Sequence, residues 1–291
     1  MTPQEYCQEK AAKSGSSFYY SFLSLPDKKR EAITALYAFC REVDDIVDSS
    51  AQHELKGTKL TWWRDEIERL FQGSAQHPIT RALTPVIHDF NLPKEYFLEI
   101  LDGMQMDLEP TTYASFKDLR LYCYRVASVV GLMSAEIFGY HDRMTLKYAH
   151  DLGLAFQLTN IIRDVYADLM QGRLYLPQDE LARYGVTAAD LSAKKCTPAF
   201  TELMQFQINR ANEHYQRAFI QLPEIDRYSQ RTGLIMAAIY HALLDKIGNN
   251  SCKVLTQRVG IAPLRKLWIA WQTNRKETRR YHTGMKHQAD G

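Results

Sequence analysis

Apolar residues recur at intervals of three and four through almost the whole of this 291-residue chain, which is the spacing of one face of an α-helix. The segment 26–48 is typical: Pro26 and Asp27 form a helix-start signal, and apolar side chains then follow at helical spacing. No stretch alternates apolar and polar residues between hairpin turns, as β-strands would. The sequence therefore predicts an all-α, single-domain helical bundle over residues 1–291, with a frayed tail at 281–291.

Composition excludes several classes of function. The formal net charge is only +2, so no nucleic-acid partner is expected. The five cysteines are scattered and form no CxxC pair, which predicts small apolar fillers in a reducing compartment. There is no signal-peptide pattern and no run of about 18 or more apolar residues. A cytoplasmic protein is expected, and the longest polar break, at 49–58, predicts a loop.

Two of the predicted helices each carry an arginine followed by two aspartates four residues apart. The first reads REVDDIVD and contains Asp44 and Asp48, and the second reads RDVYAD and contains Asp164 and Asp168. Residues four apart share a helix face. One such pair is a common chance match and often marks a solvated face. Two pairs in otherwise apolar helices favour a functional site, because a buried charge is costly without a partner.

Amide side chains extend the second acidic face. Gln157 and Asn160 precede Asp164 on that face, so it presents amide and carboxylate oxygens, which suit Mg²⁺ or, as an alternative, Mn²⁺. If the two acidic faces oppose each other across a cavity, the metal between them would bind substrate phosphates. Arginines would neutralise the phosphate oxygens. Those available are Arg41, Arg163 and Arg173.

Small residues recur at every fourth position in YCYRVASVVGLMSAEIFGY. They are Ala127, Gly131, Ala135 and Gly139. Such a face would either leave room for a hydrocarbon chain or allow two helices to pack closely, and this stretch alone favours close packing.

Four segments together resemble the squalene/phytoene synthase family, whose members join two prenyl diphosphates head to head. They are SGSSFYYSFLSLP, ALYAFCREVDDIVD, YCYRVASVVG and GLAFQLTNIIRDVYADLMQGRLYLPQDEL, and the resemblance spans residues 5–270. It implies an isoprenoid-synthase bundle around a deep central cavity, where two aspartate-rich helices hold Mg²⁺ between them. The substrates implied are prenyl diphosphates.

The resemblance also implies roles for individual residues. The metal ligands implied are Asp44, Asp48, Asn160, Asp164 and Asp168. The catalytic set implied is the same four aspartates with Arg41 and Tyr122. Arg173 is added to the expected substrate-binding residues because an arginine can bind phosphate. The full expected set is Ser17, Phe18, Tyr37, Arg41, Val126, Ala127, Gly131, Gln157, Asn160, Arg163, Arg173 and Tyr240. The chain departs from the family pattern at Ser14, where some relatives have histidine, and at Tyr166 and Ala167, where many have glycine and glutamate.

Several further segments, among them LTWWRDEIERL and GLMSAEIFGY, resemble most closely the presqualene diphosphate synthases of hopanoid pathways. Those enzymes join two farnesyl diphosphates and stop at the cyclopropyl diphosphate. The alternatives are a phytoene synthase using two geranylgeranyl diphosphates and a complete squalene synthase, which alone would need NADPH. An alternative of another class is a non-catalytic prenyl-lipid carrier, which would not need all four aspartates. Peripheral membrane contact through the basic tail and partner enzymes of the same pathway also fit.

Overall fold

The computed structural model describes residues 1–13, 21–22, 24–49, 51–108 and 112–289, with side chains up to residue 283. These ranges contain no β-strand, only an isolated parallel bridge between Thr112 and Leu174. The α-helices are α1 (Pro3–Lys13), α2 (Asp27–Asp48), α3 (His53–Phe71), α4 (Pro78–Asp89), α5 (Lys94–Met106), α6 (Phe116–Cys123), α7 (Val129–Phe138), α8 (Met144–Met170), α9 (Gln178–Tyr184), α10 (Ala188–Ser192), α11 (Pro198–Gln221), α12 (Arg231–Gly248) and α13 (Pro263–Ala289).

The all-α prediction is confirmed, and two details differ from the sequence analysis. The predicted loop at 49–58 is wrong, because α3 begins at His53. Its first turns are polar and exposed, so their composition resembles that of a loop. The predicted helix at 115–139 is interrupted by a π-helical turn at Tyr124–Ser128. Such a turn inserts an extra residue into the helical ladder and often marks a functional site.

Two hydrophobic clusters form the core. The first contains residues of helices α1 through α5 and of α7, and the second contains residues of α6 and of α8 through α12. The side chain of Val126, in the π-helical turn, packs against both clusters. The long helix α8 packs mainly against α11 and also contacts α7 and α12. The cavity described below lies where the two clusters meet.

Close packing of α7 and the π-helical turn against α8 depends on glycine. A Cβ added at Gly131 would lie 2.5 Å from the Ala149 carbonyl oxygen, and one at Gly153 would lie 2.6 Å from the Ala127 carbonyl oxygen. Both clashes are with backbone, which cannot swing away as a side chain can. The interpretation of the small residues as a close-packing face is therefore confirmed at Gly131.

The prediction for the cysteines is correct for two of them and wrong for two others. Cys7 and Cys123 are buried, as small apolar fillers would be. Cys196 and Cys252 instead form a disulfide, with Cα atoms 5.4 Å apart, a normal separation for a cystine. The two residues are 56 positions apart, so only the fold brings them together. The bond ties the segment after α10 to the 3₁₀ turn Ser251–Leu255.

One helical stretch, Phe116–Phe138, is long and apolar enough to cross a membrane by length and composition. Half of its most apolar window is buried inside the fold, and it supplies residues to the cavity wall. This is the position of a core helix.

Candidate active site

A two-chambered cavity separates the two hydrophobic clusters. The outer chamber has a volume of about 510 Å³ and the inner chamber about 200 Å³. The chambers share wall residues, so they lie side by side. The shared residues are Tyr37, Cys40, Val126, Gln157 and Asn160.

The two chambers differ in chemistry. Charged side chains from α2, α8 and the segment before α13 line the outer chamber, among them Asp44, Arg163 and Arg258. The inner chamber is lined mainly by aliphatic and aromatic side chains, including Phe138 and Phe156. The cavity as a whole therefore fits a molecule with a charged head and a hydrocarbon tail.

On α2, the first acidic pair lies beside an arginine of the same helix. Arg41 donates to the Asp44 carboxylate at 2.7 Å and to Asp45 at 2.6 Å. Asp44 follows Arg41 by three positions and Asp45 by four, so these charges meet on one face. Asp48, one turn further on, is bound from outside the helix.

On α8, the second acidic pair is bound by arginines from two places. Arg163 donates its Nε to Asp164 at 2.8 Å, and Arg258, which precedes α13, donates to the same carboxylate at 2.9 Å. Arg163 also contacts Tyr240 of α12. Asp164 thus joins α8 to the chain segment that forms the outer wall of the chamber.

The acidic faces of α2 and α8 are brought together by the segment that follows α8. Arg173 donates to the Asp48 carboxylate at 2.9 Å and to the Val47 carbonyl oxygen at 3.3 Å. The charge of the same arginine lowers the pKa of Asp168 against the larger effect of burial. Arg173 therefore lies between the last aspartates of the two pairs, and the two faces point toward a common region.

Burial and the charge of a neighbouring aspartate raise the pKa values of two carboxyls. Burial is the main cause at Asp44, followed by the charge of Asp48, and its pKa rises to about 7. The Asp44 side chain is 41% accessible and lines the outer chamber. Burial and then the charge of Asp164 raise the pKa of Asp168 to about 8. Both carboxyls lie where added positive charge would be stabilised.

A fifth aspartate lies between the two pairs. Asp107 accepts hydrogen bonds from the hydroxyls of Tyr122 at 2.8 Å and Tyr175 at 2.7 Å. Burial raises its pKa, while the two tyrosine hydrogen bonds oppose the rise. Backbone pairing of Gln178 with the Tyr113 carbonyl at 2.9 Å and the bridge at Thr112 position Tyr175 beside Tyr122. The side chain of Tyr122, which lines the outer chamber, is thereby fixed in place.

The side chains around the acids fit a divalent cation. Carboxylates and amide oxygens are the ligands of Mg²⁺ and Mn²⁺, and the Asn160 Oδ1 atom is buried without a hydrogen-bond partner. Over the described residues, no three His, Cys, Asp or Glu side chains are close enough to hold a metal. The assignment of Asp44, Asp48, Asn160, Asp164 and Asp168 as metal ligands therefore stays a prediction.

Most of the residues singled out from the sequence lie around this cavity. Ser17 and Phe18 lie outside the described residues. Asp48, Asp164, Asp168 and Arg173 connect through the ion pairs and charge interactions given above. Those lining the outer chamber are Tyr37, Arg41, Asp44, Tyr122, Val126, Gln157, Asn160, Arg163 and Tyr240. Ala127 and Gly131 line the inner chamber, with Tyr37, Val126, Gln157 and Asn160.

Four residues of the site were not found from the sequence. Asp107 and Tyr175 lie within the quoted family segments or near them, but no spacing rule connects two tyrosines to an aspartate so far along the chain. Arg258 and Lys266 line the outer chamber from the C-terminal part of the chain, where no motif drew attention to them.

Comparison with known proteins agrees with this geometry. The family model described as squalene/phytoene synthase matches residues 11–265. This chain belongs to the squalene/phytoene synthase family. It is 33% identical over 275 residues to a 15-cis-phytoene synthase of Synechococcus elongatus, a match that covers 90% of this chain and 89% of the relative. It is 35% identical over 280 residues to a phytoene synthase of Arthrospira platensis, with the same coverage of both chains.

Solved structures of family members show the same fold. A dehydrosqualene synthase in complex with a ligand superposes with a TM-score of 0.82 at 27% identity, covering 95% of this chain and 97% of the other. The squalene synthase HpnC of Alicyclobacillus acidocaldarius superposes with a TM-score of 0.78 at 28% identity, covering 86% and 94%. The isoprenoid-synthase fold is thus shown. Squalene/phytoene synthases are prenyltransferases that act on prenyl diphosphates with a divalent metal.

Proposed function

We propose that this protein joins two farnesyl diphosphates head to head and releases presqualene diphosphate and inorganic diphosphate, as in hopanoid or squalene biosynthesis. The observation that supports the proposal is that a charged outer chamber lies beside an apolar inner chamber and shares wall residues with it. A prenyl diphosphate has the matching shape: its charged head belongs in the outer chamber and its hydrocarbon tail in the inner one.

The reaction begins with loss of diphosphate from one substrate. The C1–O bond breaks and its electron pair leaves with the diphosphate. Arg41, Arg163 and Arg258 line the outer chamber and would neutralise the charge of the diphosphate there. A bound Mg²⁺ or Mn²⁺ ion would supply further positive charge to the departing oxygens. The residues proposed to hold it are Asp44, Asp48, Asn160, Asp164 and Asp168.

The allylic cation that remains must be shielded from water. The C2–C3 double bond of the second farnesyl diphosphate attacks C1 of this cation, and loss of one proton closes the cyclopropane ring. The apolar wall of the inner chamber excludes the water that would otherwise capture the cation. The rings of Tyr37 and Phe156, which line the inner chamber, offer π faces that stabilise positive charge.

The farnesyl chain length is supported by the wall of the inner chamber. Bulky side chains from three parts of the fold contribute to it, among them Phe22, Phe138 and Tyr148. The dehydrosqualene and squalene synthases that share the fold are named for thirty-carbon products, which two fifteen-carbon substrates would give. The phytoene synthases among the sequence relatives support the second candidate, condensation of two geranylgeranyl diphosphates.

The test is product analysis with both substrates. Purified protein is incubated with Mg²⁺ and radiolabelled farnesyl or geranylgeranyl diphosphate, with and without NADPH. We expect presqualene diphosphate from farnesyl diphosphate, unchanged by NADPH. Conversion to squalene with NADPH would extend the reaction, and phytoene as the main product would replace the proposal with the second candidate. Binding of either substrate without diphosphate release would favour a prenyl-lipid carrier.

A matched pair of variants shows that turnover belongs to this site. Asp48→Asn removes the carboxylate that Arg173 binds, and we expect turnover to fall at least a hundredfold. Asp65→Asn makes the same chemical change at an exposed position on α3 and should keep wild-type turnover. Equal turnover in the two variants would contradict the placement of the site.

A further inference from the structure

The first half of α13 presents large apolar side chains to the outside of the molecule. Leu264 is 81% exposed, Leu267 43%, Trp268 55% and Trp271 56%. Relative to Leu264 these residues follow at three, four and seven positions, so they lie on one face of the helix. Four large apolar side chains on one exposed helix face form an apolar patch of the kind that marks an interaction site.

The same helix carries a strong excess of positive charge. Between Pro263 and Thr283 there are six lysines and arginines and a single acid, Glu277. Glu277 is buried and paired with Arg227 at 2.9 Å, so it does not neutralise the surface of the helix. The guanidinium of Arg275 lies 5.2 Å from the ring centre of Trp271, which places a cation directly beside the apolar patch.

The helix that carries this face also borders the outer chamber of the cavity. Lys266, one position before Leu267, lines the outer chamber, and so do residues 258–261, which lead into α13. The helix therefore turns one side toward the chamber and its apolar, cationic side away from the protein.

We propose that this face, formed by Leu264, Leu267, Trp268 and Trp271 with Arg265 and Arg275, docks the protein onto a bilayer of anionic phospholipids. Tryptophan rings favour the boundary between lipid tails and headgroups. Leucine side chains insert below that boundary, while arginines bind anionic headgroups. A second copy of this chain fits less well, because a two-fold contact through this face would oppose two cationic surfaces.

Docking in this orientation would place the outer chamber on the other side of α13 from the bilayer, about one helix diameter, ~10 Å, from the lipid surface. This consequence rests on the proposed function, since only a substrate or product with a hydrocarbon tail would gain from the short path to the bilayer. The docking itself does not depend on it.

The test is vesicle binding by the full-length protein without substrate or metal. The protein is sedimented with vesicles of phosphatidylcholine alone or of phosphatidylcholine and phosphatidylglycerol in equal parts. We expect binding to the mixed vesicles, little binding to the neutral ones, and loss of binding as salt is raised. The double variant Trp268→Gln/Trp271→Gln should weaken binding to the mixed vesicles about tenfold or more.

Ile220→Gln is the matched control. Ile220 is 85% exposed but lies near the end of α11, where the next residue, Gln221, adjoins the first turn of α8. The first turn of α8 is at least 14 residues from Asp164, which is about 20 Å along the helix. This variant should bind vesicles as the wild type does, and all three proteins should show the same turnover in detergent.

Three results would overturn the proposal. One is equal binding of the wild type to neutral and anionic vesicles. Another is unchanged binding by the tryptophan double variant. The third is a wild-type dimer in sedimentation velocity that the double variant abolishes, without vesicle binding by either protein, because the face would then be an interface between two copies.

Discussion

The carboxyls of Asp44 and Asp168 hold protons that an exposed aspartate would release. Each is partly buried and lies one helical turn from another carboxylate, so its pKa rises from 3.8 to about 7 in Asp44 and about 8 in Asp168. Spacing along the helix allowed the like-charged pairs to be found from sequence. The depth of burial, which is the larger cause of both shifts, depends on the helices packed around them and could not be predicted.

These shifts predict how the stability of the metal-free protein depends on pH. Between about pH 4 and pH 8 the folded protein binds more protons at these carboxyls than the unfolded chain does, so the free energy of unfolding falls as pH rises. We expect a lower urea midpoint at about pH 8.5 than at about pH 6. Asp168→Asn, which removes one titrating carboxyl, should flatten this dependence. A slope that the substitution leaves unchanged would contradict the assignment.

The hydrogen bonds on Asp107 predict a difference between two tyrosines. Tyr175→Phe removes one of the two donors to a buried carboxylate and should lower the free energy of unfolding by about 1–3 kcal/mol. Tyr113 stacks on Tyr175 at a ring distance of 6.1 Å, and its buried hydroxyl has no hydrogen-bond partner among the described residues. Tyr113→Phe should therefore cost little or be stabilising. Equal losses in urea denaturation would mean that the hydrogen bond to Asp107 contributes nothing.

Among the helices, the contact between α8 and the π-helical turn leaves no room for a side chain at position 153. The turn supplies Val126 and Ala127 to the cavity wall, and it approaches α8 closely because Gly153 has no side chain. The helices on either side were predicted from their periodicity. The turn was not, because a π-helical insertion depends on the packing of the neighbouring helix rather than on a local signal.

A methyl group at position 153 should disrupt this contact. In Gly153→Ala the new Cβ would lie 2.6 Å from the Ala127 carbonyl oxygen, so the turn must shift. We expect the free energy of unfolding to fall by about 1–3 kcal/mol. Gly57→Ala is the control: nothing lies within 4 Å of its Cβ, and it should stabilise α3 by up to about 1 kcal/mol. If urea denaturation shows stabilisation in both variants, the close approach is absent in solution.

The disulfide connects two segments near the C-terminal half of the fold. Because it closes a loop of 56 residues, Cys196→Ser should lower the free energy of unfolding by about 2–4 kcal/mol. A reductant should destabilise the wild type by a similar amount and leave the variant unaffected. A wild-type protein that is insensitive to reductant and has two titratable thiols in place of the disulfide would show that the bond does not form.

Over the described residues, sequence and structure agree on the class of fold, while the cation site between the two acidic helices stays a prediction. Helical periodicity predicted the bundle because the long helices α2, α8, α11 and α12 bury apolar residues along their length. The family motifs predicted Arg41, Asn160 and Arg163 near the acids. What the sequence could not show is the division of the cavity into a charged and an apolar chamber. That division arises where two hydrophobic clusters meet, with Arg258 brought in from far along the chain.

The central claim is that α2 and α8 share one site for a divalent cation and diphosphate. Titration of Mn²⁺, followed by electron paramagnetic resonance with inorganic diphosphate present, tests it without turnover. We expect Asp48→Asn on α2 and Asp168→Asn on α8 each to weaken Mn²⁺ binding about tenfold or more, with non-additive effects in the double variant. Wild-type Mn²⁺ affinity in either single variant would contradict the claim that both helices hold the same cation site.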